Sequence, residues 1–216
     1  MELAGKIIKK ILVAAVFLMA GLLFLRFGLE AYYPSGMRAL LPTEPIRAAY
    51  AENGSLTAKT QEIRIPYEDP DVGLFFADYL TVIPESGSVQ VTVRWNRSTL
   101  TRLAEKYGDT FDPEAESPFT YRIFCAREEG SESLVSGETV IPGDSYLPYA
   151  SEKDKMAMYR YERLAFEGVE LDGVSWIRIE VYRAGADTYE GAIVFYEDHE
   201  DYSIFSEYTV KESEIS

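Results

Sequence analysis

Cys125 and His199 are the one cysteine and the one histidine of the chain, and so the only thiol and imidazole that could serve as nucleophile and base. A thiol attacks as the thiolate, which requires exposure and a polarising neighbour. Cys125 instead continues the row Phe119, Tyr121, Ile123 at every second position. That phase predicts a small hydrophobe inside a sheet. A single cysteine also excludes an intramolecular disulfide.

Two acidic runs carry oxygen ligands suited to Ca2+, namely Glu68-Asp69-Pro70-Asp71 and Glu197-Asp198-His199-Glu200-Asp201. That ion takes about six to eight oxygens from a shaped loop, usually with a glycine at the sharp turn. Neither run contains a glycine, so each reads as a solvated loop, with Ca2+ the ion they would take if they met in space. Paired carboxylates could also hydrolyse glycosides, but among 36 acidic residues chance pairs abound, and no residue pattern marks a cleft. Tyr146, Tyr149, Tyr159, Tyr161 and Tyr189 could stack on sugar rings. Tyrosines in a strand-rich chain more often serve cross-strand packing. Asn96-Arg97-Ser98 matches a three-residue glycosylation sequon. No catalytic, cofactor-binding or metal-binding residue is assigned, and no cofactor is implied.

Two enzyme families combine an N-terminal anchor with a β-rich outer domain. Sortases place His before Cys, and here the order is reversed. Type I signal peptidases carry Ser just after the membrane and Lys on a later strand. Pro34-Ser35-Gly36-Met37 is superficially similar to the first element. However, Lys59, Lys106, Lys153 and Lys155 fall in an expected linker, helix or loop, where no lysine would be buried enough to act as a base.

The segment from Ile11 to Leu25 holds fifteen residues without a charge, followed by Arg26 and then Phe27, Gly28 and Leu29. A membrane span needs roughly 20 residues, and a terminal Lys or Arg can snorkel. Tyr32 and Tyr33 stand where an interfacial aromatic belt would sit. A cleaved leader would want small residues at the −3 and −1 positions. Leu18-Met19-Ala20 and Leu29-Glu30-Ala31 both offer Leu at −3, which favours an uncleaved signal-anchor over 11–29. Lys6, Lys9 and Lys10 place residues 1–10 in the cytoplasm by the positive-inside rule, and everything after residue 29 outside it.

Residues 1–29 carry four basic residues and Glu2. The remainder therefore holds 17 of the 21 basic and 35 of the 36 acidic residues, a net of −18. Such a body repels nucleic acid, whose binding requires Lys and Arg against phosphate. It remains open to basic partners and cations.

Pro34, Gly36, Pro42, Pro45 and Gly54 punctuate residues 30–59 and read as a juxtamembrane linker. Within it a short helix, capped by Thr43, carries Ile46, Ala49 and Tyr50. From residue 60 the period becomes two. Val89, Val91, Val93 and Trp95 form one apolar row, and Ile177, Ile179 and Val181 another. Further strands are predicted over 74–83, 133–141, 159–166, 189–196 and 204–210. Asp172-Gly173 predicts a two-residue hairpin. Turns are also expected at Glu85-Ser86-Gly87, Glu128-Glu129-Gly130 and Ala184–Asp187. Ser98 is expected to cap a helix on Leu100, Leu103, Ala104 and Tyr107, stopped by Gly108. A second helical turn is expected over 152–158, capped by Ser151.

Eight or nine strands at this spacing predict an antiparallel β-sandwich over 60–210, immunoglobulin-like or jelly-roll-like, with a tail at 211–216. The chain thus reads as a single-pass cell-envelope protein whose outer domain binds a protein or glycan. A carboxylate-based envelope hydrolase and an accessory subunit of a membrane complex are the alternative readings.

Overall fold

The computed structural model describes residues 2–32, 34–69, 71–115, 118–126, 144–155, 159–174, 176–185, 188–196 and 205–216. The chain is mainly β, with two antiparallel sheets and few helices. Its strands are β1 (Thr57–Asp69), β2 (Gly73–Ile83), β3 (Ser88–Asn96), β4 (Phe119–Ala126), β5 (Asp144–Tyr146), β6 (Ala150–Lys155), β7 (Tyr159–Phe166), β8 (Trp176–Arg183), β9 (Thr188–Tyr196) and β10 (Phe205–Thr209). The helices are α1 (Glu2–Tyr32), α2 (Glu44–Asn53), α3 (Arg97–Tyr107) and α4 (Glu212–Ile215).

Sheet A has the order β10-β1-β2-β3-β7-β6, and sheet B the order β5-β4-β8-β9. The predicted apolar rows face each other across one core. Val89, Val91, Val93 and Trp95 of sheet A meet Phe119, Tyr121, Ile123, Cys125, Ile177, Ile179 and Val181 of sheet B. Phe119 lies between Phe75 and Trp95, with ring centroids 4.8 and 5.2 Å away in edge-to-face geometry. Such pairs add about 0.5–1.5 kcal/mol each beyond their buried area.

The strand order departs from the immunoglobulin arrangement, in which the third strand crosses to the second sheet. Here β1, β2 and β3 are consecutive neighbours, because the turn at Pro84–Ser86 and Gly87 returns the chain into the same sheet. Gly87 adopts φ 61°, and a Cβ there would lie 3.1 Å from the Val169 carbonyl oxygen. Both facts require glycine.

Asp172-Gly173 forms a turn, with Val174 N–H donating to the Leu171 carbonyl at 3.2 Å. It does not join paired strands as predicted. β7 before it belongs to sheet A and β8 after it to sheet B, so the turn carries the chain between sheets. Helix α3 packs Leu100 and Leu103 into the core, and its cap is Asn96 rather than Ser98. The Asn96 side chain accepts from Thr99 N–H at 2.8 Å, a bond that only the residue in extended conformation before the helix can make. The expected helical turn at 152–158 is strand β6 as far as Lys155, because pairing with β7 outweighs local propensity. Residues 156–158 and the strand and turn expected over 128–141 lie outside the described residues.

Residues 34–56, expected as a linker, pack on the outer face of sheet A. Met37, Leu40, Leu41, Thr43, Ile46 and Leu56 are buried. Thr92 Oγ1 donates to the Met37 carbonyl at 2.7 Å. The Gln90 side-chain amide accepts from Leu41 N–H and donates to Leu41 C=O, both at 2.8 Å. Arg163 donates to the Ala39 carbonyl at 2.7 Å. This strap is therefore held on the face of the sheet by side-chain bonds to its backbone. Beyond it, α2 and α4 close a second apolar cluster containing Ile46, Ala58, Ile83, Val210 and Ile215.

The expected span at 11–29 lies within α1. Among the described residues, no helix is long and apolar enough to cross a membrane. Within α1, Ile11, Leu12 and Phe17, on three sides of the helix, are 63%, 62% and 75% exposed.

Candidate interaction site

Outside α1, Leu147 and Tyr149 are the only large apolar side chains exposed among the described residues, at 66% and 56%. They flank Pro148 in the three-residue link from β5 to β6, where the chain crosses from sheet B to sheet A. Proline fixes its own φ and biases the preceding residue toward extended backbone. Both ends of the link are tied down. The Tyr146 ring packs against the main core, and its hydroxyl accepts from Glu170 N–H at 3.2 Å. Tyr149 N–H donates to the Ala165 carbonyl at 2.8 Å. A stiff backbone thus presents one aliphatic and one aromatic side chain to solvent, so little conformational entropy remains to be lost on binding.

Three loops meet at this end of the sandwich, and Val169 N–H joins two of them by donating to the Gly87 carbonyl at 2.8 Å. Over residues 83–88, 144–152 and 165–174 the sequence carries Glu85, Asp144, Glu152, Glu167, Glu170 and Asp172 and no Lys or Arg. Glu85, Glu170 and Asp172 are exposed. Glu152 is engaged by Arg163.

The carboxyls with raised pKa are built into the fold. Glu162 sits in the inward phase of β7, in register with Val93, and is 3% exposed. Burial raises its pKa, while Lys153, Ser151 and Tyr121 act in the opposite sense. Lys153 Nζ lies 3.8 Å from its carboxylate. Across the core, burial first and the neighbouring Glu162 second push the Tyr121 phenol well above its usual value. Glu167 is raised by burial, with Thr43 and Ser88 opposing. Both hydroxyls donate to its Oε1, at 2.6 and 3.0 Å. Glu162 therefore faces the core, while Glu167 faces the strap. The two perturbed carboxyls stand on opposite sides of sheet A and do not form a hydrolytic pair.

Cys125 is buried on β4 and forms no disulfide, and His199 lies outside the described residues. The run 197–201 lies there too, as does Pro70 of the other acidic run. Asp71 is exposed. Among the described residues no group of three His, Cys, Asp or Glu could hold a metal ion. Ser35 is exposed in the turn that opens the strap, and Lys153 belongs to a strand rather than a loop.

Of the tyrosines considered for stacking, Tyr161 is buried with Met37 and Tyr79. Its phenol is pushed up to about 12 by burial and by Asp154. Tyr146 is half-buried, and Tyr159 lies over Arg94. The Tyr189 side chain lies outside the description. Tyr149 is thus the exposed one, and Leu147, two residues before it, lies outside every periodic apolar row of the sequence. The Leu-Pro-Tyr spacing between two polar runs was the signal available. Asn96 of the sequon spends its amide oxygen as the α3 cap.

Comparison with protein-family models, curated proteins and solved structures finds no match to this chain.

Proposed function

We propose that this chain is a membrane-anchored interaction module. In this reading α1 spans the bilayer over 11–29, residues 1–10 stay in the cytoplasm, and the β body outside engages a protein partner through the Leu147–Tyr149 tip. The exposure of that tip carries the reading, because Leu147 and Tyr149 are the only large apolar side chains outside α1 left exposed among the described residues, and they stand together on a stiff loop. Tyrosine is also enriched among the residues that dominate protein interfaces.

The anchor is supported by the nature of α1. A helix apolar on every side belongs in a protein core or a bilayer, and the exposure of Ile11, Leu12 and Phe17 speaks against a core. A carboxylate hydrolase is the weaker reading, given the separation of Glu162 and Glu167. A glycan partner is weaker too, since a single exposed tyrosine beside leucine is a poor stacking platform.

The test uses the full chain in native membranes, with a photoreactive residue at position 149 or, as control, at position 109. The expected result is a discrete adduct from 149 alone, lost when Leu147→Ser is added. An equal adduct from 109, or one indifferent to Leu147→Ser, would refute the reading.

A further inference from the structure

We infer that the tip points away from the membrane and docks into an apolar pocket with a basic rim on a protein partner. This inference rests on the reading of the chain as an anchored interaction module.

The direction follows from the path of the strap. A Cβ on Gly36 would lie 3.0 Å from the Tyr161 hydroxyl, and Tyr161 pairs in register with Arg94. Met37 is held at Thr92, Leu41 at Gln90 and Thr43 at Glu167. Leaving α1, the chain thus runs along sheet A from the Arg94 level toward the Ser88 level. Ala165, to which Tyr149 is bonded, pairs with Gln90. The tip therefore lies four residues, about 13 Å, farther along the strand than the level where the strap enters. Only residue 33 separates α1 from Pro34. Five extended residues between Tyr32 and Met37 reach at most about 18 Å. The body is accordingly held close to the bilayer by its Arg94 end, with the Leu147–Tyr149 end outward.

In that orientation the occupant of the tip is not lipid, although leucine and tyrosine would otherwise suit a membrane interface. The chemistry of the rim then selects the partner. On the three loops of this end Glu85, Glu170 and Asp172 are exposed and no Lys or Arg occurs, whereas α3 at the other end mixes Arg97, Arg102 and Lys106 with Glu105. Apolar side chains flanked by exposed carboxylates are complementary to an apolar pocket bordered by Lys and Arg. Such a charge pattern steers encounter and excludes acidic competitors.

Two measurements test this. In nanodiscs with acceptor-labelled lipid headgroups, a fluorophore at position 102 should transfer energy more efficiently than one at position 149. Equal or greater transfer from 149 would overturn the orientation. In native membranes, the position-149 photoadduct should fall about five-fold or more between about 0.05 and 0.5 M salt, over which exposed charges become screened. It should fall similarly with Glu170→Lys plus Asp172→Lys. An adduct that needs Leu147 but ignores salt and charge reversal would sink the basic rim and leave the interaction module standing. Absence of an adduct, or one indifferent to Leu147→Ser, would sink both.

Discussion

Arg94 is buried against Asp78, the residue that bulges from β2 between Ala77 and Tyr79. The bulge takes Asp78 out of the ladder with β3 and lets its carboxylate meet the guanidinium. Phe76 and Tyr159 flank that guanidinium, with its carbon 4.2 and 4.5 Å from the ring centroids. The cation is thereby enclosed on the face of sheet A nearest the strap entrance.

Removing one member of this pair leaves a charge without its main counterpart. Asp78→Ala or Arg94→Met alone should each cost about 3–5 kcal/mol, and the double variant much less than their sum. Urea unfolding of the full chain in detergent micelles, followed by tryptophan fluorescence, gives the values. Additive losses would mean that Arg94 is held chiefly by the two rings.

Glu162 makes the stability of the body depend on pH. Its folded pKa is raised, while the unfolded chain titrates near the ordinary value of 4.5. Between those two values the folded chain holds more protons, so stability falls as pH rises through the window. The stabilisation is complete below 4.5 and gone above the raised value, and Glu167 acts with the same sign. Glu162→Gln should therefore be more favourable relative to wild type at pH about 7 than at pH about 4.5. Unfolding curves at the two pH values decide this; an identical difference would show that the carboxyl is not perturbed.

Much of the sandwich was legible because its rows are strict. Val89 to Trp95 and Ile177 to Val181 keep period two without interruption, and burial on one face demands that pattern. The strap was not legible. Its prolines and glycines look like a linker, and its attachment depends on Gln90, Thr92 and Arg163, polar residues on what the period marks as a solvent face. Glu162 hid for the opposite reason. It shares the inward phase with Leu164 and Phe166, but a carboxylate in an apolar row reads as a turn outward. The cap at Asn96 and the sheet-to-sheet turn at Asp172-Gly173 have correct local chemistry, and only tertiary pairing fixes what they connect. Leu147 and Tyr149 gave no periodic signal, because a loop tip has no period.

Gly36 should control the strap. A side chain there must displace the Tyr161 hydroxyl or lift the turn at Ser35–Arg38. Gly36→Val is expected to cost about 1–3 kcal/mol and to expose the amides of Met37 and Leu41 to hydrogen exchange while those of β8 stay protected. The paired variant Gly36→Val with Tyr161→Phe removes the obstructing oxygen and should restore part of that protection. Uniform loss of protection across both sheets would show that the strap is not a separable unit.

The proposed anchor can be broken without touching the body. Leu18 and Leu22 lie one turn apart near the middle of 11–29 and are 67% and 58% exposed. A lysine near the centre of a span costs about 2.5–3.5 kcal/mol on insertion scales, so Leu18→Lys with Leu22→Lys should defeat insertion, whereas Leu18→Ile with Leu22→Ile should not. After carbonate washing, the wild type and the isoleucine variant are expected in the membrane pellet and the lysine variant in the supernatant. Circular dichroism of the released lysine variant should keep its strand signal, because no residue of the β core has changed. A wild-type chain that washed off with carbonate would remove the anchor, and with it the assignment of an inner and an outer end to the body.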